Sequence, residues 1–286
     1  MNRFGWFIPS FLDTLFLLLL LLAGAVIGNA ATLVLVPLFG QDTALEWATV
    51  ISYPLMFVPP VLLAFIVSRN NRVHSKGLAL DSCHFAPMGG FVCAVMVMLA
   101  TVALGFCTDA VNSLMPPMPQ FLEDALERMT TGNFVLNFIC VSLLAPLCEE
   151  WLCRGMVLRG LLGRGVKPVW AIMFSAFFFA LIHLNPWQAV PAFLIGLLFG
   201  YVYFRTGSLK LTMLMHFTNN TVSLVLSRID SLQGADNWMD VTGEGSYWIF
   251  FALSLVIVGL TVLAFSRVQL RRPRGNFDVL PGLSES

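Results

Sequence analysis

Residues 143–155 read LLAPLCEEWLCRG and place Glu149, Glu150 and Arg154 inside a run that is otherwise apolar. A charged side chain at membrane depth is expensive, so it needs a partner or a task. On a helix, Glu150 and Arg154 lie four residues apart and share a face, where they are expected to pair. Glu149 is turned about 100° away from Glu150. Arg154 therefore cannot serve both, and one carboxylate is left free.

The rest of the chain supports a membrane setting for that run. Of 286 residues, 58% are hydrophobic and 11% are charged, 25 are Phe and the net charge is zero. The mean hydropathy is +0.82. This composition excludes an ordinary soluble enzyme and offers no basic surface for nucleic acid. Crossing a hydrocarbon core of roughly 30 Å takes about 20 helical residues. Apolar runs of that order lie near 14–36, 47–67, 88–106, from 134 onward, and at 168–184, 187–204, 209–226 and 247–265. They predict an all-α polytopic membrane protein of about eight transmembrane helices, 1–286 forming one integral membrane domain. The fifth to seventh runs are short and closely connected. The N-terminal MNRFGWFIPSFLDTLFLLLLLLAGAVIG has no clear small-residue cleavage site and reads as a retained first helix rather than a removed signal.

Basic residues collect on one side of the eight-span arrangement: Arg3, then Arg69, Arg72 and Lys76, then Arg159, Arg164 and Lys167, then Arg205 and Lys210, then Arg267, Arg271, Arg272 and Arg274. The opposite loops carry Asp42, Glu46, Asp109, Glu123, Asp124, Glu127, Asp230, Asp236, Asp240 and Glu244, with Arg128 and Arg228 as their basic residues. By the positive-inside rule both termini are cytoplasmic, in a cell inner or plasma membrane. Residues 267–286 read as a flexible basic cytoplasmic tail attracted to anionic headgroups. In the longest connection, 108–133, Phe121, Leu122, Ala125, Leu126 and Met129 form an apolar stripe at helical spacing, which predicts a short interfacial helix. Of the six cysteines, Cys93, Cys140, Cys148 and Cys153 lie in or near apolar runs at a spacing that matches no zinc ribbon. They read as small buried hydrophobes.

Two of the four histidines also sit inside apolar runs. In SAFFFALIHLNP, Phe179 and His183 are four apart, and Asn185 and Pro186 end the helix. In KLTMLMHFTNN, His216 and Asn220 are four apart and share a face. His74 and His84 fall in or beside a polar loop and read as solvated. A lone intramembrane His is more often an interhelical hydrogen-bonder. Here a Glu, two His and an Asn on the fourth, fifth and seventh runs are what is needed to activate a water and hold an oxyanion, which points to amide hydrolysis. The same groups also suit a proton or ion pathway in a transporter, or a non-catalytic membrane scaffold or immunity protein.

EEWLCR, FALIH and HFTNN resemble the EExxxR, FxxxH and HxxxN motifs of the CPBP intramembrane proteases, the CAAX-protease and bacteriocin-processing group related to the type II CAAX prenyl endopeptidases. All three stand in the family's order, over a protease-like core of about 134–226. The resemblance implies an intramembrane endopeptidase that hydrolyses a peptide bond of a membrane-associated or lipidated peptide or protein. It assigns Glu149 as the base that activates water, His183 as its partner, and His216 and Asn220 as oxyanion stabilisers, with Glu150, Arg154 and Phe179 in support. It requires no cofactor outright. A divalent metal such as zinc on Glu149, His183 and His216 is chemically reasonable, because two His and a carboxylate leave a position for water, yet there is no HExxH. In the metal-free version Glu149 and His183 polarise the water directly, and the sequence does not choose between them.

Counting at 1.5 Å per residue from the expected inner ends of the helices places Glu149 roughly 15 Å deep, His183 roughly 22 Å and His216 about 10 Å. The sequence alone therefore does not bring the three together.

Overall fold

The computed structural model describes residues 2–73, 77–81, 85–130, 132–229, 232, 237–268 and 277–278, without the side chains at 2, 42, 43, 45, 46, 125, 127–130, 277 and 278. His74, Lys76, His84, Asp230, Asp236 and the tail arginines 271, 272 and 274 lie outside the described residues. So do the side chains of Asp42, Glu46, Ala125, Glu127, Arg128 and Met129.

The chain is a helical bundle. We label its helices α1 (Phe11–Phe39), α2 (Gln41–Asn71), α3 (Gly90–Asn112), α4 (Gln120–Thr130), α5 (Phe134–Gly163), α6 (Pro168–Leu181), α7 (Pro186–Thr206), α8 (Leu209–Leu226), α9 (Trp238–Thr242) and α10 (Glu244–Ser266). Six of them, α1, α2, α3, α5, α7 and α10, are long and apolar enough to cross a bilayer. The protein is an integral membrane protein. Two of the eight expected spans fall short of that standard. Helix α6 has 14 residues, about 21 Å of rise. Helix α8 is diluted by Lys210, His216, Asn219 and Asn220. These are the two helices that bring in the histidines. The predicted interfacial helix is present as α4, and Leu126 on it reaches the central cavity.

Local chemistry sets the helix ends. Ser10 caps α1 by accepting from the Asp13 N–H, while the Asp13 carboxylate takes the Ser10 N–H in return, a reciprocal capping box. Helices α1 and α2 then pack backbone to backbone. A Cβ on Gly24 would lie 2.2 Å from the Met56 carbonyl oxygen, and one on Gly28 2.5 Å from that of Ser52. Small residues are what allow membrane helices to approach this closely.

Helix α5 carries the charged run and is irregular where it does so. Residues Phe138–Leu144 and Trp151–Leu158 are π-helical and flank the α-helical turns Ala145–Glu150. Pro146 has no N–H to give the ladder, and a widened turn just before it accommodates the loss. Wide turns of this kind gather at functional sites.

One end of the bundle is held by arginines bonded to carbonyl groups. Arg159, fully buried, donates to the carbonyls of Gly155 at 2.6 Å, Leu78 at 2.9 Å, Gly5 at 3.3 Å and Phe7. Arg164 reaches Ile8, and Arg205 reaches Phe265, Ser266 and Val268. This ties the N-terminal segment, the loop after α2 and the C-terminal ends of α5, α7 and α10 into one face. Phe277–Asp278, in the tail, pairs in parallel with Gly77–Leu78.

Candidate active site

The stretches EEWLCR, FALIH and HFTNN converge on one cavity of about 930 Å³, lined by Tyr53, Glu149, Phe179, His183, His216 and Asn220 among others. Glu150 and Arg154 are absent from its lining and lie fully buried behind it.

The supporting pair is as the four-residue spacing predicts. Arg154 donates to Glu150 Oε1 at 2.7 Å and to the Gly196 carbonyl at 3.1 Å. Its guanidinium carbon stands 4.6 Å from the centre of the Phe179 ring and 5.3 Å from that of Phe199, a cation–π setting. Glu150 Oε1 also meets His216 Nδ1 at 3.0 Å. Arg154 thus fixes Glu150, and Glu150 fixes the His216 ring.

Phe179 joins the two histidines. Its ring stands edge-on to His183 at 5.1 Å and to His216 at 5.4 Å. His183 lies just beyond the end of α6, and Leu184 after it takes a left-handed φ of 53°. Asn185 then caps α7 by accepting from the Trp187 N–H. A branched residue in that conformation costs about 1–3 kcal/mol, and such strain clusters at sites. The bend stops α6 where His183 faces the cavity. His183 Nδ1 lies 2.7 Å from the Phe179 carbonyl. A carbonyl only accepts, so Nδ1 carries a hydrogen, and in the neutral ring Nε2 is left as an acceptor.

Glu149 is the free carboxylate. Its Oε1 accepts a hydrogen bond from the Tyr53 hydroxyl. Its Oε2 is buried without a partner and lies 4.0 Å from His216 Nε2. Asn220 donates one amide hydrogen to the Val141 carbonyl at 2.8 Å and accepts from Asn219, leaving its second amide hydrogen uncommitted.

The expected depths are reconciled by two local features. Helix α5 runs on to Gly163, which puts Glu149 at most about 20 Å from its C-terminal end, close to level with His183 at about 22 Å along α6. The turn from Thr206 to Leu209 is buried, and the Leu209 side chain packs against Gly155. Helix α8 thus starts about 12 Å inside the end of α5, and a further 10 Å or so along it brings His216 level with the other two.

Tyr53 is the residue that sequence reasoning missed. It sits on α2, far from the motifs, and its one signal is a hydroxyl inside an apolar run. Among the described residues, no group of three His, Cys, Asp or Glu side chains is placed to hold a metal ion. Glu149, His183 and His216 share a cavity without forming a ligand set, and no step below runs through a metal.

Residues 131–222 match the family model for Type II CAAX prenyl endopeptidase Rce1-like proteins. Over this segment, about a third of the chain, the protein is similar to that family. The segment takes in α5 to α8 and leaves α1, α2, α3 and α10 outside. The chain is also similar to an uncharacterized 24.3 kDa protein of Escherichia coli, at 26% identity over 118 residues, which is 40% of this chain and 54% of that protein. The chain thus spans about half the length of the curated relative it matches. No solved structure matches it.

Proposed function

We propose that the chain is an intramembrane endopeptidase that hydrolyses a peptide bond of a membrane-associated or lipidated peptide, with Glu149 as general base. The observation that carries this reading is the unpartnered, buried Oε2 of Glu149, set in a cavity whose walls also carry His183, His216 and Asn220. A buried polar atom without a partner costs stability, and proton acceptance from a bound water gives it a use.

In this reading Glu149 Oε2 accepts a proton as the water oxygen bonds to the scissile carbonyl carbon. His183 Nε2 accepts the water's other hydrogen in a hydrogen bond and holds it in line. Charge that develops on the carbonyl oxygen is met by the uncommitted amide hydrogen of Asn220, and by His216 Nε2 when that ring carries both protons. Collapse breaks the C–N bond, and the proton held by Glu149 passes to the departing amine, which restores the carboxylate.

The test compares purified wild type with Glu149→Gln on membrane-partitioning reporter peptides, some ending in a farnesylated Cys-aliphatic-aliphatic-X sequence and some unlipidated. Removal of a general base lowers the rate on the order of 100- to 10,000-fold, with the melting temperature unchanged. Wild-type cleavage by Glu149→Gln would sink the assignment. The ratio of rates on the two peptide sets reads the substrate class.

A further inference from the structure

Glu149 is held from outside the family-matched segment. Tyr53 lies on α2, lines the same cavity, and donates its hydroxyl hydrogen to Glu149 Oε1. One turn earlier on α2, the Thr49 carbonyl accepts from Cys140 Sγ at 3.7 Å, so α2 touches α5 at two successive levels. Next to Tyr53, Ser52 is the residue whose backbone lies against Gly28 of α1. The ring of Tyr53 packs on Phe57 at 5.5 Å. The hydroxyl is therefore carried by a helix that is itself locked on both sides.

We propose that Tyr53 is a positioning residue for the hydrolysis, holding the Glu149 carboxylate so that Oε2, and not Oε1, faces the reacting water. The inference rests on the endopeptidase reading above. A glutamate carboxylate turns about χ3 in a broad, nearly two-fold well, so nothing in Glu149 itself distinguishes its two oxygens. Tyr53 occupies one of them. It also opposes a competing arrangement. Glu149 Oε2 stands 4.0 Å from His216 Nε2, and without a tether a small rotation closes that gap into a direct ion pair. Such a pair would take both groups away from substrate. A hydrogen bond to a charged group is strong enough to decide between the two orientations.

The closing experiment has two arms. The first does not depend on turnover. The infrared carboxylate band of Glu149, identified as the band that disappears in Glu149→Gln, should shift in Tyr53→Phe, which keeps the ring and its packing on Phe57. An unchanged band overturns the proposal. The second arm uses the farnesylated and unlipidated reporter peptides. Tyr53→Phe should lower kcat roughly tenfold or more with KM unchanged, the scale of one hydrogen bond to a charged group. In a Glu149→Gln background it should have no further effect. A purely structural role would instead lower the melting temperature and leave the kcat to KM balance alone. If Tyr53→Phe proves unstable, 3-fluorotyrosine at position 53 keeps the shape, changes the donor strength, and should alter kcat alone. Loss of activity in Glu149→Gln with full activity in Tyr53→Phe rejects Tyr53 and leaves the endopeptidase reading standing. Full activity in both variants rejects the reading itself.

Discussion

Arg154 engages both terminal nitrogens of its fork, while its buried Nε has no partner. It pairs with Glu150, donates to the carbonyl of Gly196 and lies over Phe179, and neither it nor Glu150 is exposed. Removing one member of a buried pair strands the other, at a cost of about 3–5 kcal/mol. Arg154→Ala should therefore express poorly and melt far below wild type, which thermal unfolding in detergent would show. A variant as stable as wild type yet inactive would make Arg154 a participant in the chemistry instead. The same chain of contacts constrains His216. A Glu150 paired with Arg154 only accepts, so His216 Nδ1 carries the hydrogen between them. Its Nε2 can then donate to an oxyanion only when the ring holds both protons, whereas Asn220 can donate in any state. The two groups assigned together as oxyanion stabilisers from HFTNN differ in this respect, and that difference is set by Glu150, a contact that the four-residue spacing of His216 and Asn220 does not reveal.

At the level of helices, what was legible in the sequence is the periodic and compositional part. The apolar runs, the interfacial α4 and the pairing of Glu150 with Arg154 follow from spacing, because a helix repeats its faces whatever surrounds it. What was not legible is whatever depends on where one helix starts relative to another. The buried turn from Thr206 to Leu209 drops α8 deep enough for His216 to reach Glu149, and no residue in that turn announces its depth. Tyr53 was hidden for the same reason, since its partner lies 96 positions away. Its placement depends on the close contact of α1 with α2, which makes a prediction about glycine. Gly28→Leu would put a side chain where the Ser52 carbonyl oxygen already stands, 2.5 Å from the added Cβ. Forcing bulk into a filled contact costs about 1–3 kcal/mol, and here it also displaces the helix turn that carries Tyr53. Both the melting temperature and the cleavage rate should fall. Gly259→Ala, where an added Cβ meets nothing within 4 Å, is the matched control and should be neutral or mildly stabilising, because Ala is the better helix former. Equal behaviour of the two variants would remove the α1–α2 contact from the account.

For the molecule as a whole, the decisive property is its polarity. The described basic residues Arg159, Arg164 and Arg205 tie one end of the bundle together through carbonyl groups. At the other end Asp109 accepts from the Tyr247 hydroxyl at 2.9 Å and from the Trp238 N–H at 3.3 Å. We expect the basic end to face the cytoplasm, since short cytoplasmic loops retain Lys and Arg. Glu149 lies at most about 20 Å along α5 from that end, which we expect to be past the middle of a core of roughly 30 Å. The cavity continues from Glu149 to Asp109 and Trp238, and we expect substrate to reach it from the acidic face. An epitope at the N-terminus and a second one inserted at the exposed turn residue Gly243 test this directly in intact cells and in inverted vesicles. The Gly243 epitope should be digested by added protease in cells whose cytoplasmic side is sealed, and the N-terminal epitope only in inverted vesicles. The reverse pattern would overturn the charge argument and place the mouth of the cavity on the cytoplasmic side. The depth of the catalytic groups, which rests on helix geometry and not on charge, would stand in either case.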